Sequence, residues 1–414
     1  MASNLNSTDL PDVGTPATIQ SRSSPWTILL VFLRLGLTSF GGPIAHIGHF
    51  RAEFVERRRW FDDRSFSDLV SLCQVLPGPA SSQVGIAVGL VRGGWLGSLA
   101  AWFGFTMPSA LALVAFAYGI SEVGGIATSG AVHGLKVVAV AVVAQAVWGM
   151  AKGLCPDRTR AALAILATLM TLVLPSSLGQ VGAIVVSGVL GSAFLKLPNQ
   201  QPVTHQAYGV SRRAGAVALM TFVALLVGLP LVASTTDSAL VGVLAGFYRA
   251  GALVFGGGHV VLPLLQAVVV PRGLVSNADF MTGYGATQAV PGPLFTFAAF
   301  LGTTMTGPLG GWAGGLACLA AIFVPAYLVV VGALPFWDTL RRRAGIQSVM
   351  AGVNAGVVGI LLSALYDPVW TSAIHARADF GLGLAAFGLL VHGRLSPVWV
   401  VALSALGGWA LSVI

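Results

Sequence analysis

The chain has 414 residues, of which 56% are hydrophobic and 9% charged, and its mean hydropathy is +0.85. Soluble globular proteins carry about 25% charged residues, so this composition excludes a soluble fold and predicts an all-α polytopic membrane protein. The net charge of +8 lies mainly in a few loops, which is typical of topology signals and not of a nucleic-acid-binding surface.

Residues 1–24 form a polar stretch rich in Ser, Thr and Pro. It lacks the short apolar core of a signal peptide, so we interpret it as a disordered tail. Cys73, Cys155 and Cys318 lie far apart and show no disulfide or metal spacing. We therefore expect the cysteines to be packing residues, and we expect neither a metal nor a cofactor.

After the tail, the sequence repeats itself at an offset of about 215 residues. Four landmarks recur in the same order, which chance matching of Gly and Pro would not produce. They are Phe32–Gly36 with Phe247–Gly251, Phe40–Gly42 with Phe255–Gly257, Gln74–Pro79 with Gln288–Pro293, and Gly94, Trp95 and Pro108 with Gly311, Trp312 and Pro325. The sequence therefore predicts an N-terminal repeat over 25–197, a linker over 198–237 and a C-terminal repeat over 238–414.

Each half shows the same series of predicted elements. A first helix carries an arginine and a glycine pair, a Pro-Gly-Pro segment and a helix with a central proline follow, and three more apolar segments complete the half. The first three elements cover 25–50, 65–91 and 94–119 in one half and 238–269, 278–302 and 310–335 in the other, and a lone helix over 213–233 joins the halves.

Loop charges indicate how the halves are oriented. The loop after the first helix holds five arginines between residues 51 and 64, whereas its counterpart holds only Arg272. The loop over 121–133 holds no Lys or Arg, whereas its counterpart holds Arg341, Arg342 and Arg343. This bias swaps between the halves, which predicts inverted repeats. If the Pro-Gly-Pro segments re-enter the membrane without crossing it, an even number of crossings separates the halves, which conflicts with an inverted orientation. The number of membrane spans therefore stays open.

Pro-Gly-Pro inside an apolar segment breaks a helix, and a broken backbone at membrane depth must be buried or line a cavity. The half-helix that follows begins with free N–H groups, which favour an anion. A plain kink is the alternative. The predicted substrate-binding residues here are Gln74, Pro77, Gly78, Pro79 and Ser81, with Gln288, Pro291, Gly292 and Pro293 in the second half.

Two glycine pairs and two arginines complete the predicted anion site. Gly41 with Gly42, and Gly256 with Gly257, could aim backbone amides at a ligand, although a close helix crossing is the alternative. Arg34 and Arg249 lie in the middle of apolar helices, and a guanidinium suits a tetrahedral oxyanion. Snorkelling or a structural ion pair is the alternative for the arginines.

Other titratable residues are candidates for coupling protons or adding charge. His46, His259 and Glu53 follow the glycine breaks and could carry protons, although a hydrogen-bonded helix-end histidine is the plainer interpretation. Lys136, near the start of an apolar helix, is a candidate accessory charge and could also snorkel.

At these motifs the chain resembles the chromate ion transporter family in its long, duplicated form. The resemblance rests on Phe40–Pro43, Arg58–Phe61, Gln74 with Pro77–Pro79, and Gly94-Trp95, and it covers nearly all of 25–414. It implies a secondary transporter with inverted halves that exports chromate across the bacterial inner membrane and confers chromate resistance, with sulfate as the isosteric competitor. One departure is that Gly258 stands where the first half has Pro43.

The resemblance and the motifs together predict one oxyanion site near the membrane midplane, between the halves. The expected partners are chromate or sulfate and membrane lipid, and a homodimer is one option for the assembly. A sulfate or oxyanion uptake permease is the alternative function. A membrane-embedded enzyme is a remote alternative, because the sequence shows no catalytic constellation.

Overall fold

The computed structural model describes residues 23–40, 42–122, 130–195, 209–236, 238–255, 258–337 and 344–413. Across these ranges the chain is built of helices without strands, which confirms the predicted all-α class. In chain order the helices are α1 (Pro25–Thr38), α2 (Gly42–Arg51), α3 (Asp63–Val75), α4 (Ala80–Glu122), α5 (Gly130–Leu154), α6 (Arg158–Val173), α7 (Ser177–Phe194), α8 (Arg212–Thr235), α9 (Ala239–Ala252), α10 (Val261–Val269), α11 (Asn277–Thr287), α12 (Phe297–Thr304), α13 (Gly311–Ala333), α14 (Ala344–Ala364), α15 (Arg377–Val391) and α16 (Pro397–Val413).

Two serines make hydrogen bonds directly before α1. Ser24 caps the helix, since the backbone N–H of Trp26 donates to its Oγ at 3.3 Å. The N–H of Ser23 donates to the carbonyl of Arg92 at 2.9 Å. Ser23 and Ser24 therefore contact the start of the fold, and the bounds predicted for the tail, the repeats and the linker stay predictions. The rest of the predicted tail, residues 1–22, lies outside the described residues.

Several helices of the described part can cross a membrane. Five are long and apolar enough by length and composition, in segments that begin at Ala80, Gly130, Arg212, Gly311 and Gly345. The lone helix α8 matches the linker helix predicted over 213–233, and only 6% of its apolar stretch is buried. Since so apolar a surface cannot face water, α8 faces lipid, and the chain is a multi-pass membrane protein.

Helices end and begin beside the glycine pairs and beside Pro-Gly-Pro in both halves. The first element of each half divides after Thr38 and after Ala252, beside the glycine pairs. The second divides after Val75 and after Thr287, beside Pro-Gly-Pro. In the first half, a single helix, α4, includes the segment after Pro-Gly-Pro and the helix with the central proline, with non-helical backbone at Gly94. In the second half the equivalent segments form two separate helices, α12 and α13.

The last three helices of each half pack across the molecule. Helix α5 of the first half packs against α15 and α16 of the second, and α14 of the second half packs against α6 and α7 of the first. Small residues allow these close crossings: a Cβ at Gly134 would meet the carbonyl of Ser404, and one at Gly191 would lie 2.6 Å from the Cα of Gly352. The halves therefore exchange equivalent contacts, as a pseudo-two-fold relation requires. The inverted orientation stays a prediction, and three of the loop charges behind it, Arg341, Arg342 and Arg343, lie outside the described residues.

A buried carboxylate ties α5 to α15. Asp379 Oδ2 accepts hydrogen bonds from the N–H groups of His375 and Ala376, at 3.0 and 2.9 Å, and Oδ1 lies 2.7 Å from Nε2 of His133 on α5. The Asp379 side chain is buried, whereas its partners are partly or fully exposed, so removing it would cost the hydrogen bonds to a charged acceptor and the link between the helices.

We expect Asp379→Ala to lower the free energy of unfolding by about 1–3 kcal/mol, because three donors would lose a buried, charged acceptor. Thermal denaturation of the purified protein in detergent measures the change. The matched control is Asp157→Ala, which removes a helix cap that is exposed and bridges no second helix, and which should cost less. Equal melting temperatures for Asp379→Ala and the native chain would contradict the assignment.

Candidate functional site

The first Pro-Gly-Pro corner reaches into the second half. Gly78 has φ +123°, a conformation that L side chains rarely adopt, and its N–H donates to the carbonyl of Val254 at 2.6 Å. The side-chain amide of Gln83 closes the corner by donating to the carbonyl of Pro77 at 2.6 Å. Because Val254 directly precedes Phe255, the corner lies against the glycine break of the opposite half.

The second corner makes the same contact in return. Gly292 has φ +100°, and its N–H donates to the carbonyl of Ser39 at 2.9 Å. Ser39 directly precedes Phe40, so it is the repeat equivalent of Val254. Each Pro-Gly-Pro corner is therefore hydrogen-bonded beside the glycine break of the other half, and all four interruptions meet at the interface of the halves.

A cavity of about 70 Å³ lies at this meeting point. It is much smaller than the roughly 300–1,000 Å³ pockets that hold drug-sized ligands, so it suits a small ion. Both glycine breaks and the second corner contribute to its wall. The lining residues are Gly42, Pro43, Val142, Gln145, Gly258, His259, Thr287, Gln288, Val290, Gly292, Leu294 and Pro397.

Several buried polar groups at or near the breaks lack a protein partner. Among the described residues, the hydroxyls of Ser39, Ser82 and Thr106 and the amide Nε2 of Gln288 are buried without a hydrogen bond. Such groups are rare in folded proteins and indicate bound water or a polar ligand. Gln288 lines the cavity and is therefore the strongest candidate to donate to an anion.

The two predicted histidines occupy different surroundings. His46 is 1% exposed, its Nδ1 lies 3.2 Å from Oγ of Ser81, and its ring meets Phe105 edge-on. His259 lines the cavity, and its Nδ1 lies 2.7 Å from the hydroxyl of Tyr284. His259 is thus the predicted proton carrier that lies beside the candidate ion position, and a role for either histidine stays a prediction.

The predicted arginines do not line this cavity. The side chain of Arg34 is exposed on α1, and Arg249 lines a separate cavity with Arg272.

Lys136 lies on α5 outside the cavity, with Asp279 as its electrostatic partner. Gln74 is exposed near the end of α3. Among the described lining residues there is no Lys or Arg, so neutral donors and His259 provide the polar contacts.

Other predicted residues are near the site or beyond the described part. Pro77, Pro79 and Ser81 belong to the first corner and do not line the cavity, and Pro291 and Pro293 flank Gly292. Gly41, Gly256 and Gly257 lie outside the described residues.

Glu53 lies in an ion-pair cluster away from the cavity. Its carboxylate oxygens lie 2.6 Å from Nε of Arg58 and 3.1 Å from Nη1 of Arg57. Burial alone would raise the pKa of Glu53, but the hydrogen bonds from Arg58 and Arg57 outweigh it and hold the pKa below its ordinary value. Because the folded pKa is depressed, the ion pairs stabilise the fold at neutral pH and are lost as the pH falls through that lowered value.

We therefore expect Glu53→Gln to leave the pH dependence of transport unchanged between about pH 6 and 8, since Glu53 stays ionised throughout that range. Transport assays of Glu53→Gln and His259→Gln across this range make the comparison. A profile that shifts in Glu53→Gln and not in His259→Gln would restore Glu53 as the proton carrier.

Sequence reasoning missed part of the cavity wall. Thr287 adjoins the Gln-x-x-Pro-Gly-Pro motif and could have been included with it. Val142 and Gln145 come from α5, and Pro397 from α16. Of these three residues, Gln145 alone could have been identified from the sequence, because its amide lies within a long apolar helix.

Comparisons with known proteins agree on one family. The profile described as "Chromate transporter" matches residues 26–193 and 241–409, so it detects both halves. The chain is 28% identical to the chromate transport protein of Pseudomonas aeruginosa, over 86% of this chain and 85% of that protein. It is 28% identical to a probable chromate transport protein of Synechococcus elongatus (86% and 87%) and 25% identical to the chromate transport protein of Cupriavidus metallidurans (87% of each). No solved structure matches the chain.

Proposed function

Because the chain belongs to the chromate transporter family, we propose that it carries chromate, or the isosteric sulfate, across the membrane as a secondary transporter. Its relatives are named chromate transport proteins and match over most of their length, which supports this substrate. Transport also agrees with the multi-pass architecture.

The reciprocal corner contacts are the observation that carries this proposal. Hydrogen bonds from Gly78 to Val254 and from Gly292 to Ser39 bring four helix interruptions together between the halves, and three of them line one cavity. Transporters built from repeats bind substrate at such interruptions and alternate access by moving one part against another. A rigid-body shift of one repeat, 25–197, against the other, 238–414, would open the cavity to either side.

The polar lining suits a small oxyanion. Gln145 and Gln288 supply donors, and His259 adds a positive charge when it is protonated. A bare dianion in a low-dielectric site would cost tens of kcal/mol, so these donors and the positive field of nearby groups must offset that cost. Arg34 and Arg249 lie outside the cavity and contribute to this field from a distance.

Export is the direction that the membrane potential favours. Moving a dianion out of an inside-negative cell releases roughly 4.6 kcal/mol per 100 mV, because each charge contributes about 2.3 kcal/mol. No pump is needed in that direction. We therefore assign the protein to the bacterial inner membrane, with chromate resistance as the physiological result.

Everted membrane vesicles test the proposal. Export from the cell corresponds to uptake into these vesicles, and an interior-positive potential should drive it for radiolabelled chromate and sulfate. We expect uptake in vesicles that contain the protein, and its loss when an ionophore dissipates the potential. Vesicles without the protein are the control. Uptake that is no greater than in this control would overturn the assignment.

Oxyanion uptake is the second candidate, and the position of His259 beside the cavity favours it. Accumulating an anion against the potential requires coupled protons or cations, which a titrating histidine could supply. Chromate content of whole cells separates the two directions, because export lowers it and uptake raises it.

A further inference from the structure

A second cavity of about 250 Å³ lies between the end of α8 and the length of α9. It shares no lining residue with the central cavity. Helix α8 contributes its last turns, α9 contributes one face, and the loop after α10 contributes an arginine. The lining residues are Pro230, Ala233, Ser234, Gly242, Ala245, Gly246, Arg249 and Arg272.

Helical spacing explains why the space is open. Gly242 is followed three and four residues later by Ala245 and Gly246, and Arg249 follows these two by four and three residues, so all four lie on one face of α9. The first three have side chains no larger than a methyl group, which leaves an open trough along this face of the helix. The side chain of Arg249 closes one end of the trough. From Gly242 to Arg249 the helix rises about 10 Å, so the trough runs from the first turn of α9 to its last turn.

Two guanidinium groups face this trough without a described counterion. Nη1 of Arg272 lies 3.3 Å from the position that a Cβ on Gly242 would take, at the outer end of the trough, and Arg249 stands at the inner end. Arg272 acts on Arg249 as a like charge. Among the described residues, no carboxylate forms an ion pair with either arginine. An anion between them would relieve the repulsion and satisfy their donors.

The trough is not a general feature of the repeat. Arg34 is the equivalent of Arg249 in the first half, and its side chain is exposed on α1. Helix α8 packs against α9 and α13, and because it belongs to the linker it has no counterpart in either repeat. The partial cover of Arg249 therefore arises from the connection between the halves, independently of the central cavity.

We propose that the Arg249–Arg272 cavity binds a tetrahedral oxyanion group, either the phosphate of an anionic lipid headgroup or a free oxyanion. Guanidinium groups match the geometry of phosphate and sulfate oxygens in paired hydrogen bonds. Because α8 faces lipid, the trough is accessible to a headgroup from the membrane, and its exposed Arg272 is accessible to an ion from water.

Binding measurements on the purified full-length chain test this proposal independently of transport. One arm measures retention of phosphatidylglycerol against phosphatidylcholine by native mass spectrometry. The other measures the shift in melting temperature on adding sodium sulfate, with sodium chloride at equal ionic strength as reference. The test variant is Arg272→Gln, which removes an exposed charge without disturbing the core, and Arg213→Gln, an exposed arginine near the start of α8, is the matched control.

We expect the native chain and Arg213→Gln to behave alike, and Arg272→Gln to bind about tenfold more weakly in one arm, because it loses charge-assisted hydrogen bonds. Loss confined to the phosphatidylglycerol arm identifies a lipid phosphate, and loss confined to the sulfate arm identifies a free oxyanion. If Arg272→Gln equals the native chain in both arms, the cavity is not an anion site. This result would leave the proposed transport function unaffected.

Discussion

Gly292→Ala should reduce transport by at least tenfold, and Gly78→Ala in the opposite half should do the same. At Gly292 an added Cβ would lie 2.8 Å from Oγ of Ser109, and at Gly78 it would lie 2.7 Å from Nε2 of Gln83. Both residues also have positive φ values that disfavour side chains. The combined cost is roughly 2–5 kcal/mol, which is large beside the total stability of about 5–15 kcal/mol.

The strained corner can relieve this cost by moving, and the hydrogen bonds to Ser39 and Val254 would then be lost. We expect each variant to remain folded, with a lower melting temperature and a displaced corner. Flux in vesicles, normalised to the amount of folded protein from size-exclusion chromatography, measures the functional loss separately from the loss of yield.

The matched control is Gly149→Ala on α5, where an added Cβ meets nothing within 4 Å. It should retain native flux, and as a helix-interior change from glycine to alanine it should be neutral or stabilising. If both corner variants transport at native rates per folded molecule, the reciprocal contacts play no part in transport.

Local sequence chemistry was sufficient to predict the interruptions. Proline and glycine act on their own turn of backbone, so Pro77–Pro79 and Pro291–Pro293 interrupt helices wherever the chain folds. The lone helix between the repeats and the three closing helices of each half were also predictable from local sequence, because the length of an apolar run is enough to indicate a membrane helix. The fold class and the order of elements therefore followed from the sequence.

The partners of these interruptions were not predictable in the same way. Which carbonyl receives the N–H of Gly78 depends on how the halves pack, and nothing near Gly78 specifies Val254. The arginines show the same limit. Arg34 and Arg249 occupy equivalent positions, yet only Arg249 is covered by α8, so its surroundings depend on a helix outside the repeat.

Some residues of the cavity wall were predictable from local motifs, and others are there because of how the halves pack. Gly42, Gln288 and Gly292 belong to motifs that the sequence displays twice. Val142 comes from α5, which carries no motif and reaches the site only because it packs against the opposite half. Sequence repeats thus indicated the breaks at the centre of the site, whereas packing between the halves determined what surrounds them.

Gln288→Leu should abolish most transport while the protein becomes no less stable. Nε2 of Gln288 is buried without a partner among the described residues, and an unsatisfied amide of this kind costs about 1–3 kcal/mol. Leucine has a similar size and removes that cost. It also removes a donor to the anion, and a hydrogen bond to a charged group contributes about 1.5–3 kcal/mol, so flux should fall roughly ten- to a hundredfold.

Gln266→Leu is the matched control, because its amide donates to Asn277 at 3.2 Å and it does not line the cavity. It should lose a little stability and keep its flux, the reverse of the result expected for Gln288→Leu. Melting temperature and vesicle flux, measured on the same two preparations, therefore separate an anion-binding amide from a structural one. Native flux in Gln288→Leu would exclude this side chain from the transport site and would move the anion position away from the second corner.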